Sequence, residues 1–312
     1  MTKPIQVLAL IAIAPVLAGA EGGTVLSGPV AGYLFMPEAG VIRPMLGVPG
    51  SAWLGEPLAA GMDLAATAPN GKLALAIRGA RLFLLNHLDQ AQPEWLELGP
   101  APEAADRIVW NATATAAAVA SSASGTVQLW RSLDRSPQAG DPLSFGSTVT
   151  SLAVDASGAI AAGVSGEGLY LCRGADVRLV SRNPKVSALA FSGNDLYFAD
   201  STLGKIFVIR DYSLAGDATL FGAVEDAVGL AVSGDGARLA ALSASTKTLT
   251  LFDLKTLSTP QTVELEFTPT GAAQFSGDSL YIVNAGAQGP VQLLDMSRGA
   301  AVYFVPTGAK EE

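Results

Sequence analysis

The chain has 312 residues, 49% of them hydrophobic and only 15% charged, with a formal net charge of −9. A composition this apolar excludes intrinsic disorder, a single Cys excludes a disulfide scaffold, and the lack of several apolar runs of about 20 residues excludes a multi-span membrane protein. The 19 Lys and Arg are scattered among 28 Asp and Glu, so the clustered cations that nucleic-acid phosphates need are missing.

In chain order, the first segment is Met1 to Ala20. Lys3 supplies a positive start, Val7 to Ala18 is apolar apart from Pro15, and Ala18-Gly19-Ala20 has the small-x-small form of a cleavage site. The apolar stretch is short for a bilayer span of about 20 residues. These features predict a cleaved secretory signal and a secreted or periplasmic protein; an uncleaved anchor is the competing reading. The expected organisation is a signal over 1–20, one domain over 21–308 and a flexible tail over 309–312. Once the signal is removed, no membrane span is expected.

From Asp63 onward a pattern recurs: an apolar strand with a small residue, a Gly/Asp/Asn turn, a second strand, a loop and a third apolar strand. Copies start at Asp63, Ile108, Ser151, Ser187, Val228 and Gly271. Aligning the third strands on Tyr33, Leu82, Val127, Leu169, Ile206, Leu249 and Val291 gives steps of 37 to 49 residues, about 43 on average. Short runs rich in Val, Leu, Ile, Phe and Tyr, bounded by Gly, Asp, Asn and Ser, are strands rather than helices. Four short strands per 40 to 45 residues predict an all-β, seven-bladed β-propeller with four antiparallel strands per blade. Because the first unit is incomplete before Tyr33, six blades also fit. Ala65, Ala153, Ala190 and Ala231 share one slot, with Val109 and Gln274 in the other copies. Small residues belong there because blades crowd at the axis. Ring closure is expected to join the segment near Thr24 to Gly28 with the last unit near Ala300 to Val305.

The run Val232-Ser233-Gly234-Asp235-Gly236-Ala237-Arg238-Leu239, followed by Leu249 to Asp253, resembles the YVTN-type and WD-type bacterial propeller repeats. Phe198-Ala199-Asp200-Ser201 leading to Ile206-Phe207-Val208 is similar to the related NHL repeat. The WD-type Trp-Asp pair is replaced by Phe252-Asp253 and Leu294-Asp295, and the repeat's Gly-His is missing because the only His is His87. The WD-repeat hydrogen-bonded tetrad is therefore not carried over. The resemblance implies a propeller that binds proteins, peptides, sugars or cofactors, or a lactonase.

A catalytic triad has little to work with. His87 closes a third strand, and no Gly-x-Ser-x-Gly elbow occurs. Cys172 takes a slot held elsewhere by Leu85, Trp130, Ile209, Phe252 and Leu294, so it is expected in the core. Asp155, Asp195, Asp235 and Asp278 stand in turns where Asp bonds its own backbone. The segment Gly47 to Gly61 is read as the link between units one and two, with Trp53 at its tip. Asn111-Ala112-Thr113 matches a glycosylation sequon. The loops before the first strands and after the second gather Asp63, Arg78, Arg107, Glu167, Lys185, Asp200, Lys205, Asp226 and Lys247 into a mixed polar ring. With Trp53 that ring is the candidate binding site for a protein or other ligand. This first expectation is a monomeric, non-catalytic binding protein without a cofactor. The alternative implied by the resemblance is a lactonase-type hydrolase. It would hold a divalent metal such as calcium in the channel, approached by Asp63, Glu167, Asp200, Asp226 and Asn284.

Overall fold

The computed structural model describes residues 29–307, except 215, 257 and 285–288. These residues hold no helix and form seven separate antiparallel sheets. The expected joining of Thr24 to Gly28 with the last unit lies outside the described residues, as do the leader and the tail.

Blade 1 contains β1 (Val30–Met36), β2 (Val41–Leu46), β3 (Trp53–Leu54) and β4 (Ala59–Ala60). Blade 2 contains β5 (Leu64–Thr67), β6 (Leu73–Arg78), β7 (Arg81–Asn86) and β8 (Glu94–Pro100). Blade 3 contains β9 (Arg107–Trp110), β10 (Ala116–Ser121), β11 (Thr126–Arg131), β12 (Gln138–Ala139) and β13 (Leu143–Ser144). Blade 4 contains β14 (Val149–Val154), β15 (Ile160–Val164), β16 (Gly168–Arg173) and β17 (Asp176–Ser181). Blade 5 contains β18 (Val186–Ser192), β19 (Asp195–Asp200), β20 (Lys205–Ile209) and β21 (Ala218–Ala223). Blade 6 contains β22 (Ala227–Val232), β23 (Arg238–Ser243), β24 (Thr248–Asp253) and β25 (Gln261–Glu264). Blade 7 contains β26 (Ala273–Ser276), β27 (Leu280–Asn284), β28 (Val291–Asp295) and β29 (Ala301–Val305). Blades 2, 4, 5, 6 and 7 are plain meanders. In blade 3 the two short pieces β12 and β13 both pair with β11, and in blade 1 β3 and β4 both pair with β2.

Side chains alternate across each strand, so a strand buried on both sides feeds two interfaces. In β10, Ala116, Ala118 and Ala120 pack toward blade 4, while Ala117 and Val119 pack toward blade 2. Seven hydrophobic clusters result, one between each pair of neighbouring blades. The cluster of Leu34, Met45 and Leu54 with Phe275, Leu293 and Val305 joins blade 7 to blade 1 and completes the ring. Seven interfaces for seven sheets settle the count at seven blades. Small residues allow the close approach. A Cβ on Gly163 of β15 would strike Ser151 Oγ and Val186 of the next blade.

Blade 1 departs from the expected register. Its end nearest blade 2 is the turn after β1, where Gly40 O accepts the N–H of Met62, just before β5 begins. β1 therefore runs against β5, and β2 takes the place that β7 takes in blade 2. The buried and half-buried residues of β2 alternate as in β11. Ile42, not Tyr33, thus occupies the slot of Leu82, and the step of 49 becomes one of 40. Gly47 to Gly61 is likewise not a link between units. It is the turn and the divided outer strand of blade 1 itself.

Of the six described inner strands, β9, β14, β18 and β22 carry Val109, Ala153, Ala190 and Ala231 at equivalent pairings with their second strands; in β5 and β26 the equivalent residues are Ala66 and Ala273, each one position from the expected Ala65 and Gln274. In blades 4, 5 and 6 a bulge interrupts the start of that pairing. The extra residues Thr150 and Ser187 use their hydroxyls to donate to Val186 O and Ala227 O of the next blade.

Cys172 sits opposite Ile160 and is buried with Leu129, Val154 and Ile160. Burial, reinforced by Asp176, pushes its thiol from an ordinary 9.0 up to about 12. A thiol that ionises later in the folded state contributes its stability fully below about pH 9 and loses it as pH rises toward 12. Urea unfolding should therefore show wild type losing stability across that window more steeply than Cys172→Ala; equal slopes would refute the assignment. Cys172→Asp, which buries an unpaired charge, should cost on the order of 4 kcal/mol by the same measurement.

Candidate functional site

The channel has two unlike ends. At one end lie the starts of the inner strands and the turns between second and third strands. There the structure places the predicted charged ring, and most members serve their own loops. Asp63 accepts the N–H of Gly79 at 2.8 Å. Asp200 is fully buried and accepts the N–H groups of Thr202 and Leu203 at 2.9 and 3.0 Å. Glu167 accepts the Tyr170 hydroxyl at 2.6 Å. Arg107 donates to Thr150 O of blade 4 at 3.2 Å. Asp226 and Lys247 adopt positive φ in their turns. Arg78 ends β6, and Lys185 precedes β18 and accepts the N–H of Ser201 on its carbonyl. Lys205 starts β20, opposite Asp200. None of these charges forms an ion pair among the described residues, where the pairs are Arg81–Glu97, Arg135–Asp134 and Arg210–Asp195.

Trp53 is not brought to this ring. It lies on β3, pairs with Leu46, and is 46% exposed. Leu46 leads into the Val48-Pro49 loop, which lies beside Ser297 to Ala301 of blade 7. That is the turn between third and fourth strands, at the opposite end of the molecule. Asn284 ends β27 and donates to Thr268 O at 3.3 Å. Among the described residues no three His, Cys, Asp or Glu side chains gather as a metal site would require.

The other end of the channel opens into a cavity of about 680 Å³, lined by blades 2 to 7. Its walls are the inner strands, with Ile108, Val109, Leu152, Ala153, Leu189, Ala190, Leu230 and Ala231. Its rim is the turns between first and second strands, with Ser157, Ser192, Asn194 and Asp278, joined by Arg173 and Tyr212. Apolar walls with a few polar groups at the mouth are the common form of a small-ligand site. None of the residues expected to bind a ligand lines this cavity.

The rim is held by bonds between blades. Trp110 Nε1 donates to Ala66 O at 2.9 Å, and Thr67 Oγ1 to Tyr33 O at 2.7 Å. Gly277 N–H reaches Pro69 O at 2.9 Å, so the turns of blades 7 and 2 meet directly. The densest set surrounds Asp155, which is buried. Its carboxylate accepts the N–H groups of Ser157 and Ala159, the Ser157 hydroxyl and, from blade 5, the Tyr212 hydroxyl. Its carbonyl accepts Asn111 Nδ2 from blade 3 at 3.2 Å. Burial first, and then the bond to Asp155, raises the Tyr212 phenol well above its ordinary value.

Asn111 itself is fully buried, and its Oδ1 accepts the N–H groups of Thr115 and Ala116. The folded chain thus hides the sequon. The turn role expected of Asp155 and Asp235 is present, since each accepts N–H groups of its own turn. Sequence reasoning missed Tyr212, which follows a third strand and meets Asp155 only through blade packing. His87 is exposed, with positive φ, in the turn after β7.

No family model and no curated protein sequence matches the chain. Solved structures do share its fold. A protein from Lactobacillus plantarum aligns with a TM-score of 0.66 at 14% identity, over 89% of this chain and 96% of the other. A functionally unknown protein from Desulfotomaculum acetoxidans DSM 771 aligns at 0.61 and 11% identity, over 89% and 100%. Hsv2 of Kluyvelomyces marxianus aligns at 0.56 and 12%, over 86% and 93%. At such identities the likeness concerns fold alone, and fold does not choose a function.

The Tyr212–Asp155 bond crosses from blade 5 to blade 4 and ends on a carboxylate. Tyr212→Phe keeps the ring and should cost about 2 kcal/mol. Chemical denaturation measures this, and an unchanged midpoint would mean that the bond contributes nothing.

Proposed function

We propose that the protein is a non-catalytic binding protein that takes a small ligand into the central cavity. The observation that carries the reading is the pairing of an alanine- and leucine-walled space of about 680 Å³ with a rigid polar rim. The hydrolase reading draws no comparable support, because Asp63, Glu167 and Asp200 already satisfy backbone or hydroxyl donors nearby. We further propose that the chain acts outside the cytoplasm, after removal of Met1 to Ala20. The support is the positive start, the apolar run and the Ala18-Gly19-Ala20 site.

A crystallographic fragment screen tests the site. Fragments should cluster between Ala153, Ala190 and Ala231. Fragments gathered instead around Asp63, Arg78 and Arg107 would move the site to the opposite face and overturn the cavity. Intact mass of protein expressed with export should begin at Glu21; a mass retaining Met1 would refute the cleavage.

A further inference from the structure

One position in the repeat singles out the ligand's chemistry. The residue after the Cys172 slot is Asn86 in blade 2, Arg131 in blade 3, Arg173 in blade 4, Asp253 in blade 6 and Asp295 in blade 7. In blade 5 it is Arg210. Two of the three arginines are engaged within the protein. Arg131 Nη2 donates to Gly158 O at 3.4 Å. Arg210 pairs with Asp195 and also bonds the Tyr197 hydroxyl at 3.1 Å.

Arg173 differs from both. Its guanidinium lies 5.2 Å from the centroid of the Tyr212 ring, at the cavity rim, and forms no ion pair among the described residues, although Asp176 stands opposite Arg173 on β17. The ring beneath it is fixed at both ends. The hydroxyl is held by Asp155, and the backbone carbonyl accepts Arg178 Nη2 at 3.4 Å. Stacking holds the planar guanidinium and leaves its N–H edges free for a planar, bidentate acceptor.

Among the cavity residues Arg173 is the one cation. Of the two acids there, Asp155 is saturated by the four donors already described. Asp278 stands on blade 7, three blades away around the ring, and accepts the Ser279 hydroxyl. Arg173 is thus the place at the rim where an anion meets charged N–H donors, while the acceptors of Asp155 beside it are already taken.

We infer that the cavity takes an amphipathic monocarboxylate, with its apolar body against the alanine walls and its carboxylate on Arg173. This rests on the cavity being the binding site. Arg173 acts as the bidentate anchor, and Tyr212 and Asp155 act as positioning residues.

Isothermal titration with octanoate and with 1-octanol separates the two levels of the claim. Wild type should bind octanoate more tightly than octanol. Arg173→Gln, a rim substitution that disturbs no core packing, should weaken octanoate at least about tenfold and leave octanol unchanged. Ala273→Trp, on an exposed stretch of channel wall, should abolish both. Equal binding of the two ligands, insensitive to Arg173→Gln, would overturn the carboxylate assignment while the cavity stands. Failure of both ligands to bind wild type, or binding of both undiminished by Ala273→Trp, would overturn the cavity as the site.

Discussion

The constraint on which the structure depends is that no blade buries its own surface. Each sheet is thin and apolar on both faces, and both faces are hidden only when neighbours stand on either side. The seven interface clusters are separate, so stability resembles a circular chain of nearest-neighbour terms. A circle has no end blade, and the packing of Phe275 of blade 7 against Gly32 of blade 1 is as necessary as any other contact. The high apolar content of the chain follows directly. So does the abundance of Ala in second strands, since larger side chains would force neighbouring sheets apart.

The channel is a by-product of that same packing. The six described inner strands present small residues to the axis, and an apolar-walled space lies between them. Its two ends are closed differently. At the bulged end, hydroxyls of Thr150 and Ser187 tie one blade to the next. At the other end the turns meet around an open mouth, held by Trp110, Asn111, Tyr212 and Tyr281. Tyr281 donates to Val232 O of blade 6, and its phenol is pushed up to about 12, chiefly by burial. Rigidity at the mouth thus comes from polar groups that are already paired. Arg173 forms no ion pair among the described residues, although Asp176 stands opposite it on β17.

Much of the fold was legible in the residues. Period, strand type and the shared slots of Ala153, Ala190, Ala231 and Cys172 follow from alternation and turn chemistry, which are local. The reading failed at blade 1. Tyr33-Leu34-Phe35 and Val41-Ile42 are both apolar runs, and a run does not reveal which place in the blade it fills. The place became visible only when the turn after β1 was found beside Met62. That contact also turned Gly47 to Gly61 from a linker into an outer strand and carried Trp53 away from the charged ring.

The chain by itself determined a repeated all-β architecture, a buried cysteine and a set of charged turns, because each depends on neighbours close in sequence. Tertiary structure alone settled the predicted seven blades over six, the direction of β1 and which end of the channel stays open. It also decided which polar groups are free. Asp155 and Tyr212 are 57 residues apart, and Arg173 lies 39 residues before Tyr212. Their meeting is set by the angle between blades 4 and 5, and no local pattern encodes that angle.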